Sequence, residues 1–359
     1  MHLLPVLFLR KERVMKKICD CVDGNMDVLM YDNTIKKVRD LCKDDIVYSV
    51  SYDGEDLTFT RGTILEVNRR KSSAVRITLS DGRILISSPC HQWLSQSGWL
   101  LTYDDSEASN SFLFLQENTY MQGIYRNIPL NIKESKLYMA GYLIGVEVFG
   151  KSLVPLRGGE YADFVSPDIE VTRRVYNYYK YFGVETSLSD FCATNLDTNE
   201  IFATKKLKAS YKDVLKLSEK YVVNKENEEF RRGFVAGLYD SAGTVNPIKK
   251  SLKSLKKDFL EILEKGLKQY DFDYSYRSEF WEGALLGGAP ELIRFYNIFK
   301  PVNKLPVENI EASNIHQENN RIVSIEEIRS DNLYEIVTTS RNFIANGIVT
   351  HDCAVIDQN

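Results

Sequence analysis

Short β-type runs occupy both ends of this chain, and helical patterns occupy its middle. Over about residues 21–115, Asp53-Gly54 and Asp81-Gly82 each separate two apolar runs, which is a strong hairpin signal. From about Arg321 the β character returns, with Asn346-Gly347 as a further hairpin signal. A tail of about 30 residues cannot bury a core alone. We therefore expect it to complete the N-terminal β region as one split all-β domain.

The middle of the chain, over about residues 128–317, carries helical patterns in two successive halves. Ser135 to Val148 is apolar and opens the first half, and Asp168 to Phe182 is amphipathic. Glu228 to Ser241 opens the second half, followed by an amphipathic pattern from Leu252 to Tyr270 and a strand-like run from Tyr274 to Ala284. This order predicts an inserted α/β domain with an internal duplication.

Composition narrows the class of protein. The chain has 359 residues, a formal net charge of -4, 43% hydrophobic and 27% charged residues, which excludes disordered, collagen-like and disulfide-scaffold classes. No run reaches the roughly 18 apolar residues that a membrane span needs. The apolar run Leu3 to Leu9 precedes its charges, the reverse of a signal peptide, so we expect an intracellular protein. The six cysteines lack the close spacing of a zinc site.

Candidate reactive residues lie where the β-type runs begin and end. Cys21 stands at the entry, Ser88-Pro89-Cys90-His91 follows a strand-like run, and His351-Asp352-Cys353 follows the last one. A lone Cys is commonly a small buried hydrophobe, and a lone His commonly satisfies a structural hydrogen bond. In one β core, however, two thiols and an imidazole form a Cys/His acyl-transfer site.

Three blocks together resemble an intein, the self-excising element of protein splicing. They run from Cys21 to Leu41, from Gly82 to His91, and from Leu333 to His351, with Ser88 where the family has Thr. The resemblance covers nearly the whole chain and implies a split horseshoe-type Hint domain. The implied ranges are 1–20 for an N-terminal flank, 21–126 and 319–352 for the Hint domain, 127–318 for the insertion, and 353–359 for a C-terminal flank.

The resemblance also implies a reaction without a cofactor. Cys21 attacks the carbonyl of Asp20 to form a thioester, while His91 protonates the departing nitrogen and Ser88 helps hold the bond. Cys353 then takes the acyl group, so two thiols 332 positions apart (353 − 21) must meet. The implied partner is a host protein joined in cis, and the implied state is a monomer.

The last step differs from the family pattern. Inteins release the C-terminal flank when a terminal Asn cyclises with help from the preceding His, here His351, but this chain has Asp352. A carboxylate can attack the same carbonyl through a cyclic anhydride, so release is natural but altered, slow or abolished. Glu335 stands where the family often has Asp, and two interpretations remain: an accessory group near the nucleophile or an ordinary exposed strand residue.

The insertion resembles a LAGLIDADG homing endonuclease, a class of DNA-cleaving domain carried by inteins. Its motif copies are Val235 to Gly243 and the weaker Leu143 to Lys151. The resemblance implies that the two motif helices pack closely through small residues and that the acid ending each helix shares Mg²⁺. The positions in question are Gly145 and Gly237 for the packing, Gly150 and Ala242 for the acids, and Glu147 and Asp240 for the nearest carboxylates.

Gly150 and Ala242 cannot bind a metal, so we expect weak or absent DNA cleavage and a need for Mg²⁺ only in an active nuclease. Glu147 and Asp240 should point elsewhere on their helices and serve packing or capping. The lysine and arginine clusters of the insertion are solvated faces unless they line a concave sheet, where they would contact DNA phosphates. Two alternatives to splicing remain: an active site-specific endonuclease, and a Hint domain that cleaves without ligating.

Overall fold

The computed structural model describes residues 20–52, 57–103, 114–124, 134–149, 160–194, 201–241, 249–251, 257–277, 282–304 and 320–353. These residues form two compact units. The first, here called the β unit, takes its residues from Met1–Gly54, Thr60–Asn127 and Gln317–Asn359, and the second, the middle unit, takes them from Glu55–Phe59 and Ile128–His316.

The elements follow one another in three groups. The first group is β1 (Val22–Asp23), β2 (Asp27–Leu29), β3 (Ile35–Lys37), β4 (Ile46–Tyr52), β5 (Leu57–Leu79), β6 (Ile84–Ser87), β7 (Gln92–Ser95) and β8 (Gly98–Leu101). The second group is α1 (Lys136–Phe149), β9 (Tyr161–Val165), α2 (Ile169–Tyr181), β10 (Thr186–Thr194), β11 (Ile201–Ser210), α3 (Tyr211–Tyr221), α4 (Glu228–Ser241), β12 (Lys249–Ser251), α5 (Lys257–Lys268), β13 (Tyr274–Arg277), β14 (Glu282–Leu285) and α6 (Gly288–Phe299). The third group is β15 (Ile322–Thr338), β16 (Asn342–Ala345) and β17 (Ile348–His351).

The β unit contains two sheets, and each combines strands from both ends of the chain. The five-stranded sheet has the order β15-β1-β6-β5-β4, and the six-stranded sheet has the order β3-β2-β16-β17-β7-β8. Apolar side chains from both ends, including Ile77, Trp93 and Phe343, share one buried core. The C-terminal strands therefore complete the N-terminal β unit, as the sequence predicts.

Arg83 joins the two points where the β unit gives way to the middle of the chain. Its buried guanidinium donates hydrogen bonds to the main-chain oxygens of Ile124 (2.8 Å) and Asn346 (3.2 Å) and to the side-chain oxygen of Asn320. Gly347 is required beside it, because its φ is +77° and a Cβ there would lie 2.6 Å from the Arg83 guanidinium. The exit near Ile124 and the re-entry at Asn320 are thus held together.

The middle unit repeats one arrangement twice. Each half has the element order α-β-α-β-β-α. Each half also has a three-stranded sheet, β10-β11-β9 in the first and β12-β14-β13 in the second, with its last strand at the centre. The internal duplication predicted from the two opening helices is therefore present in both element order and strand order.

The opening helices α1 and α4 pack through glycines. A Cβ on Gly145 would lie 2.2 Å from the carbonyl oxygen of Phe234, and one on Gly237 would lie 2.0 Å from that of Tyr142. No side chain fits at such distances, so glycine permits this approach of the two backbones. The small residues of the two motif copies have the packing role that we predicted for them.

Several sequence predictions fall outside the described residues. They include nearly all of the two predicted flanks (residues 1–19 and 354–359), the Asp53-Gly54 turn, both acid positions Gly150 and Ala242, and the first residues of the pattern that starts at Leu252. Within the described part of the chain, no helix has the length and apolarity needed to cross a membrane.

Candidate active site

The Asp20-Cys21 peptide bond lies at the start of β1. Val22 pairs with Ser87 of β6 on one side and with Tyr334 of β15 on the other, which fixes the strand. The Cys21 N–H donates to the hydroxyl of Ser88 at 3.0 Å, and the Ser88 N–H donates to the Cys21 carbonyl at 2.9 Å. Ser88 therefore contacts the nitrogen that would leave in an acyl shift.

The thiol of Cys21 is fully buried. It belongs to a small apolar cluster with Ala74 and Leu333, against which Ile86 packs. Because Ala74 lies on β5 and Leu333 on β15, the thiol is enclosed by strands from both ends of the chain. This enclosure excludes water from the sulfur and favours a reaction with a neighbouring group over hydrolysis.

His91 is buried and is fixed through its main chain. Its N–H donates to the carbonyl of Ser88 at 3.1 Å, and the N–H and hydroxyl of Thr102 both donate to its carbonyl at 2.8 Å. In the ring, Nδ1 lies against the carboxylate of Asp20 and Nε2 contacts the hydroxyl of Thr350. His91, the predicted proton donor, thus contacts the side chain of Asp20 through its ring. Ser88 is the group that contacts the Cys21 nitrogen.

The Asp352-Cys353 peptide bond lies just beyond β17. The Nδ1 of His351 lies 2.7 Å from the carbonyl oxygen of Asp352, and the edge of its ring faces Trp99, with centroids 5.1 Å apart. An imidazole N–H at that position donates to the oxygen on which negative charge develops when the carbonyl is attacked. His351 is therefore placed to assist cleavage of this bond.

The Asp352 side chain is buried, with 1% of its surface exposed. Its Oδ2 accepts hydrogen bonds from the N–H (2.9 Å) and the hydroxyl (3.3 Å) of Thr338. Burial raises the pKa of Asp352 above its usual range, and the Thr338 N–H, the positive charge of Arg341 and His351 oppose this rise. The side chain of Asp352 is thus held in a defined orientation.

The Asp20-Cys21 and Asp352-Cys353 peptide bonds are both anchored beside strand β15. Val22 pairs with Tyr334, and the Cys353 N–H donates to the carbonyl of Ile336 at 2.7 Å. Two residues along a strand span about 7 Å. The main chains next to the two thiols are therefore anchored within two residues of each other, although 332 positions separate the thiols (353 − 21).

All six predicted catalytic residues lie in the β unit. They are Cys21, Ser88, His91, His351, Asp352 and Cys353. The sequence reasoning missed Thr338, Arg341 and Thr350, which contact Asp352 or His91. The position of Thr350 directly before the candidate residue His351 could have indicated its role. Thr338 and Arg341 resemble ordinary turn residues between two strands and gave no such indication.

Glu335 is buried, with 6% of its surface exposed, so its interpretation as an ordinary exposed strand residue is wrong. It accepts a hydrogen bond from Arg70 Nε at 2.7 Å. The pairing with Arg70 explains the burial, since a buried carboxylate requires a charged or hydrogen-bonding partner. It follows Tyr334, the register partner of Val22, and its accessory role remains a prediction.

Glu147 of α1 is engaged on both carboxylate oxygens. Tyr179 donates to one at 2.8 Å and Ser218 donates to the other at 2.6 Å. Burial raises the pKa of Glu147 to about 7. This carboxyl links α1 to α2 and α3.

Asp240 of α4 is engaged in a similar way. The Tyr142 hydroxyl (2.7 Å) and the Val302 N–H (2.8 Å) donate to one oxygen, and the Asn303 N–H (2.9 Å) donates to the other. Burial raises the pKa of Asp240 to about 6. These contacts agree with the predicted role in packing or capping, and no group of His, Cys, Asp and Glu suited to a metal occurs among the described residues.

No protein-family model and no curated protein matches this sequence. Among solved structures, the G-1F mutant of an Ssp DnaB mini-intein variant is 10% identical, with 92% of this chain and 98% of that chain covered and a TM-score of 0.33. The gp41-1 intein is 21% identical over 29% of this chain and 67% of its own, with a TM-score of 0.22. Full-length DUF199/WhiA from Thermatoga maritima is 17% identical over 49% and 60%, with a TM-score of 0.32.

Proposed function

We propose that this chain is an intein that excises itself from a host protein and joins the flanking segments. The observation that carries the proposal is the anchoring of Val22 and Cys353 beside Tyr334 and Ile336, two residues apart on one strand. A transfer between two cysteines so distant in sequence needs this arrangement.

The first step is an N-to-S acyl shift. The sulfur of Cys21 attacks the carbonyl carbon of Asp20, the bond from that carbon to the Cys21 nitrogen breaks, and the thiol proton is transferred to the nitrogen overall. The products are a thioester and a free amine. The hydroxyl of Ser88, 3.0 Å from this nitrogen, holds the bond as it twists. The ring of His91 contacts the carboxylate of Asp20 and acts on the reaction through that contact.

The second step transfers the acyl group. The sulfur of Cys353 attacks the thioester, the Cys21 thiol leaves, and residues 1–20 become attached to Cys353. Proximity supplies the rate, because both cysteines adjoin the same stretch of β15. Cleavage at Asp352 then frees the element, and the thioester between the flanks rearranges to an amide through the newly freed amine of Cys353.

The test is the intact mass of the expressed chain with and without added thiol. We expect a ligated flank product, or a branched or N-terminally cleaved species if release at Asp352 is slow. Cys21→Ala should abolish all N-terminal products, whereas the matched change at the exposed Cys42, Cys42→Ala, should leave them unchanged. A chain that stays intact, and that Cys21→Ala does not affect, overturns the proposal.

For the middle unit we propose a LAGLIDADG-type homing endonuclease domain that has lost its catalytic acids. The close glycine packing of α1 and α4 supports the fold. The carboxylates nearest the motif ends, Glu147 and Asp240, are occupied by structural hydrogen bonds. Incubation with a plasmid that carries the uninterrupted host sequence and Mg²⁺ should give no cleavage, and robust double-strand cleavage would establish the nuclease alternative instead.

The cleavage-only alternative makes a different prediction for the same mass experiment. It requires release of the N-terminal flank without any joined product at any time. The position of Cys353 at Ile336 favours transfer, because it places an acceptor thiol beside the strand that also holds β1. Detection of the ligated flanks excludes this alternative.

A further inference from the structure

We propose that Thr338 and Arg341 are positioning residues that present the Asp352 side chain as a carboxylate nucleophile, with Oδ1 as the attacking atom. The inference rests on the proposed splicing function and concerns its release step. It assigns a route to a chain whose terminal residue is an acid instead of the amide that inteins use.

The two oxygens of Asp352 have different surroundings. Thr338 holds Oδ2 with its N–H and its hydroxyl. Oδ1 is buried and makes no hydrogen bond to the described residues. It lies 3.6 Å from Nδ1 of His351, and the same Nδ1 lies 2.7 Å from the carbonyl oxygen of Asp352. The unengaged oxygen therefore faces the ring that contacts the carbonyl to be attacked.

Arg341 acts on Asp352 in two ways. Its carbonyl accepts a hydrogen bond from the Asp352 N–H at 3.0 Å, which fixes the main chain. Its guanidinium Nε lies 4.0 Å from Oδ1, and that positive charge favours the ionised form of a buried acid. The charged and titratable groups that face this carboxylate among the described residues are Arg341 and His351.

The release step balances as follows. Oδ1 of the carboxylate attacks the carbonyl carbon of Asp352, and His351 stabilises the oxyanion that forms. The bond to the Cys353 nitrogen breaks, a proton from an imidazolium or from water neutralises the departing amine, and a five-membered cyclic anhydride remains at Asp352. One water molecule then opens the anhydride to two carboxylates. Only the ionised form of Asp352 can begin this sequence.

Arg341→Gln tests the charge. Both residues have a side chain at this position, where φ is +64°, so the substitution does not change the backbone requirement. We expect the pH midpoint of release at Asp352 to move upward and release to slow at pH values below that midpoint, because the loss of the positive charge disfavours the ionised carboxylate. Arg341→Lys should keep the midpoint of the original chain. Arg329→Gln, which removes an exposed charge elsewhere on β15, should leave both the rate of release and its pH midpoint unchanged.

A second set of variants, made in the Asp352→Asn protein, separates a positioning role of Arg341 from a structural one. In Asp352→Asn the nucleophile has no carboxylate, so Arg341→Gln should no longer move the pH midpoint of release. Equal shifts in both backgrounds, or no release at Asp352 in the original chain at any pH, would overturn this inference. Thiol-induced cleavage at Cys21 is followed in every sample. Its absence would refute the splicing function itself. If it persists while release does not depend on Arg341, only the proposed route of release through the Asp352 carboxylate is refuted.

Thr338→Val tests the other contact. Valine keeps the N–H that Oδ2 accepts and the branched shape, and it removes the hydroxyl. We expect a smaller slowing than with Arg341→Gln, on the order of threefold, since the hydroxyl bond is long at 3.3 Å and the N–H at 2.9 Å still holds Oδ2. A release rate unchanged by Thr338→Val would remove Thr338 from the proposal.

Discussion

The buried carboxyl groups of the two units differ in their partners. In the β unit, Asp352 Oδ1 is buried without a hydrogen bond to the described residues, and Asp20 Oδ1 lies against the imidazole of His91. In the middle unit, Glu147 and Asp240 have hydrogen-bond donors on both oxygens. Buried polar atoms that lack partners cost stability and are uncommon.

This difference shows that partners, more than motif position, decide what a carboxyl group does. Glu147 and Asp240 lie close to the ends of the two motif copies. Their carboxylates nevertheless accept structural hydrogen bonds from neighbouring helices and a loop. Asp352, beside the bond proposed for release, leaves Oδ1 without a hydrogen bond to the described residues, whereas the carboxylate of Asp20 contacts the ring of His91.

The largest expected effect in this comparison follows from removing the imidazole of His91. His91→Ala should slow thioester formation by about 10²- to 10⁴-fold, the range for loss of a general acid or base. The rate of thiol-induced cleavage after Asp20 measures it. Thr350→Val, which removes only the contact to Nε2, serves as a milder control. An unchanged rate for His91→Ala would place His91 outside the chemistry.

The next effect belongs to the middle unit. Asp240→Ala leaves the Tyr142 hydroxyl and two backbone N–H groups without their acceptor, so we expect a loss of about 3 kcal/mol or more in urea unfolding. Asp240→Asn keeps an acceptor and should lose less. Thiol-induced cleavage at Cys21 should be unaffected. A stable Asp240→Ala protein would mean that this carboxyl is not an anchor.

A pH-dependent effect sharpens the comparison further. Native Glu147 has a pKa of about 7, whereas its ordinary pKa of 4.5 applies in the unfolded chain. The native state therefore binds more protons between these values, and the stability of the middle unit falls as pH rises from about 4.5 to 7. Glu147→Gln should remove this dependence and stabilise the protein at pH 8 by on the order of 1–2 kcal/mol. Melting curves at pH 5 and pH 8 measure it, and parallel pH dependence in both proteins would contradict it.

The smallest expected effect concerns Arg70 and Glu335. Arg70 has 41% of its side chain exposed, so Arg70→Gln should cost about 1 kcal/mol or less in stability. If Glu335 serves the reaction, Glu335→Gln should slow thioester formation more than Arg70→Gln does. Equal rates in the two variants would leave Glu335 with a structural role alone.

Much of the architecture follows from sequence pattern. Asp-Gly and Asn-Gly hairpin signals and alternating apolar runs identified the split β regions, and the spacing of small residues identified α1 and α4. Helices α3 and α6 were not anticipated. In α6, Gly288 and Pro290 are residue types typical of turns, and its polar residues Glu291, Arg294 and Asn297 are buried instead of forming an exposed face.

The site was predictable as a set of residue types and less so as a set of contacts. Cys21, His91 and Cys353 have reactive side chains that mark them in sequence. Ser88 contacts the leaving nitrogen because of a turn between β6 and β7, and Asp20 reaches the ring of His91. Such contacts depend on how distant strands pair, which local pattern does not specify.

Under the proposed splicing function, the shared anchoring on β15 also determines what kind of host could carry this element. In that proposal, Asp20 and Cys353 are the points where the host chain enters and leaves, and both adjoin one short stretch of a single strand. A host therefore needs only a surface loop whose two stems already stand close together. Its own fold can assemble around the guest, and after excision the stems need to travel little before they are sealed.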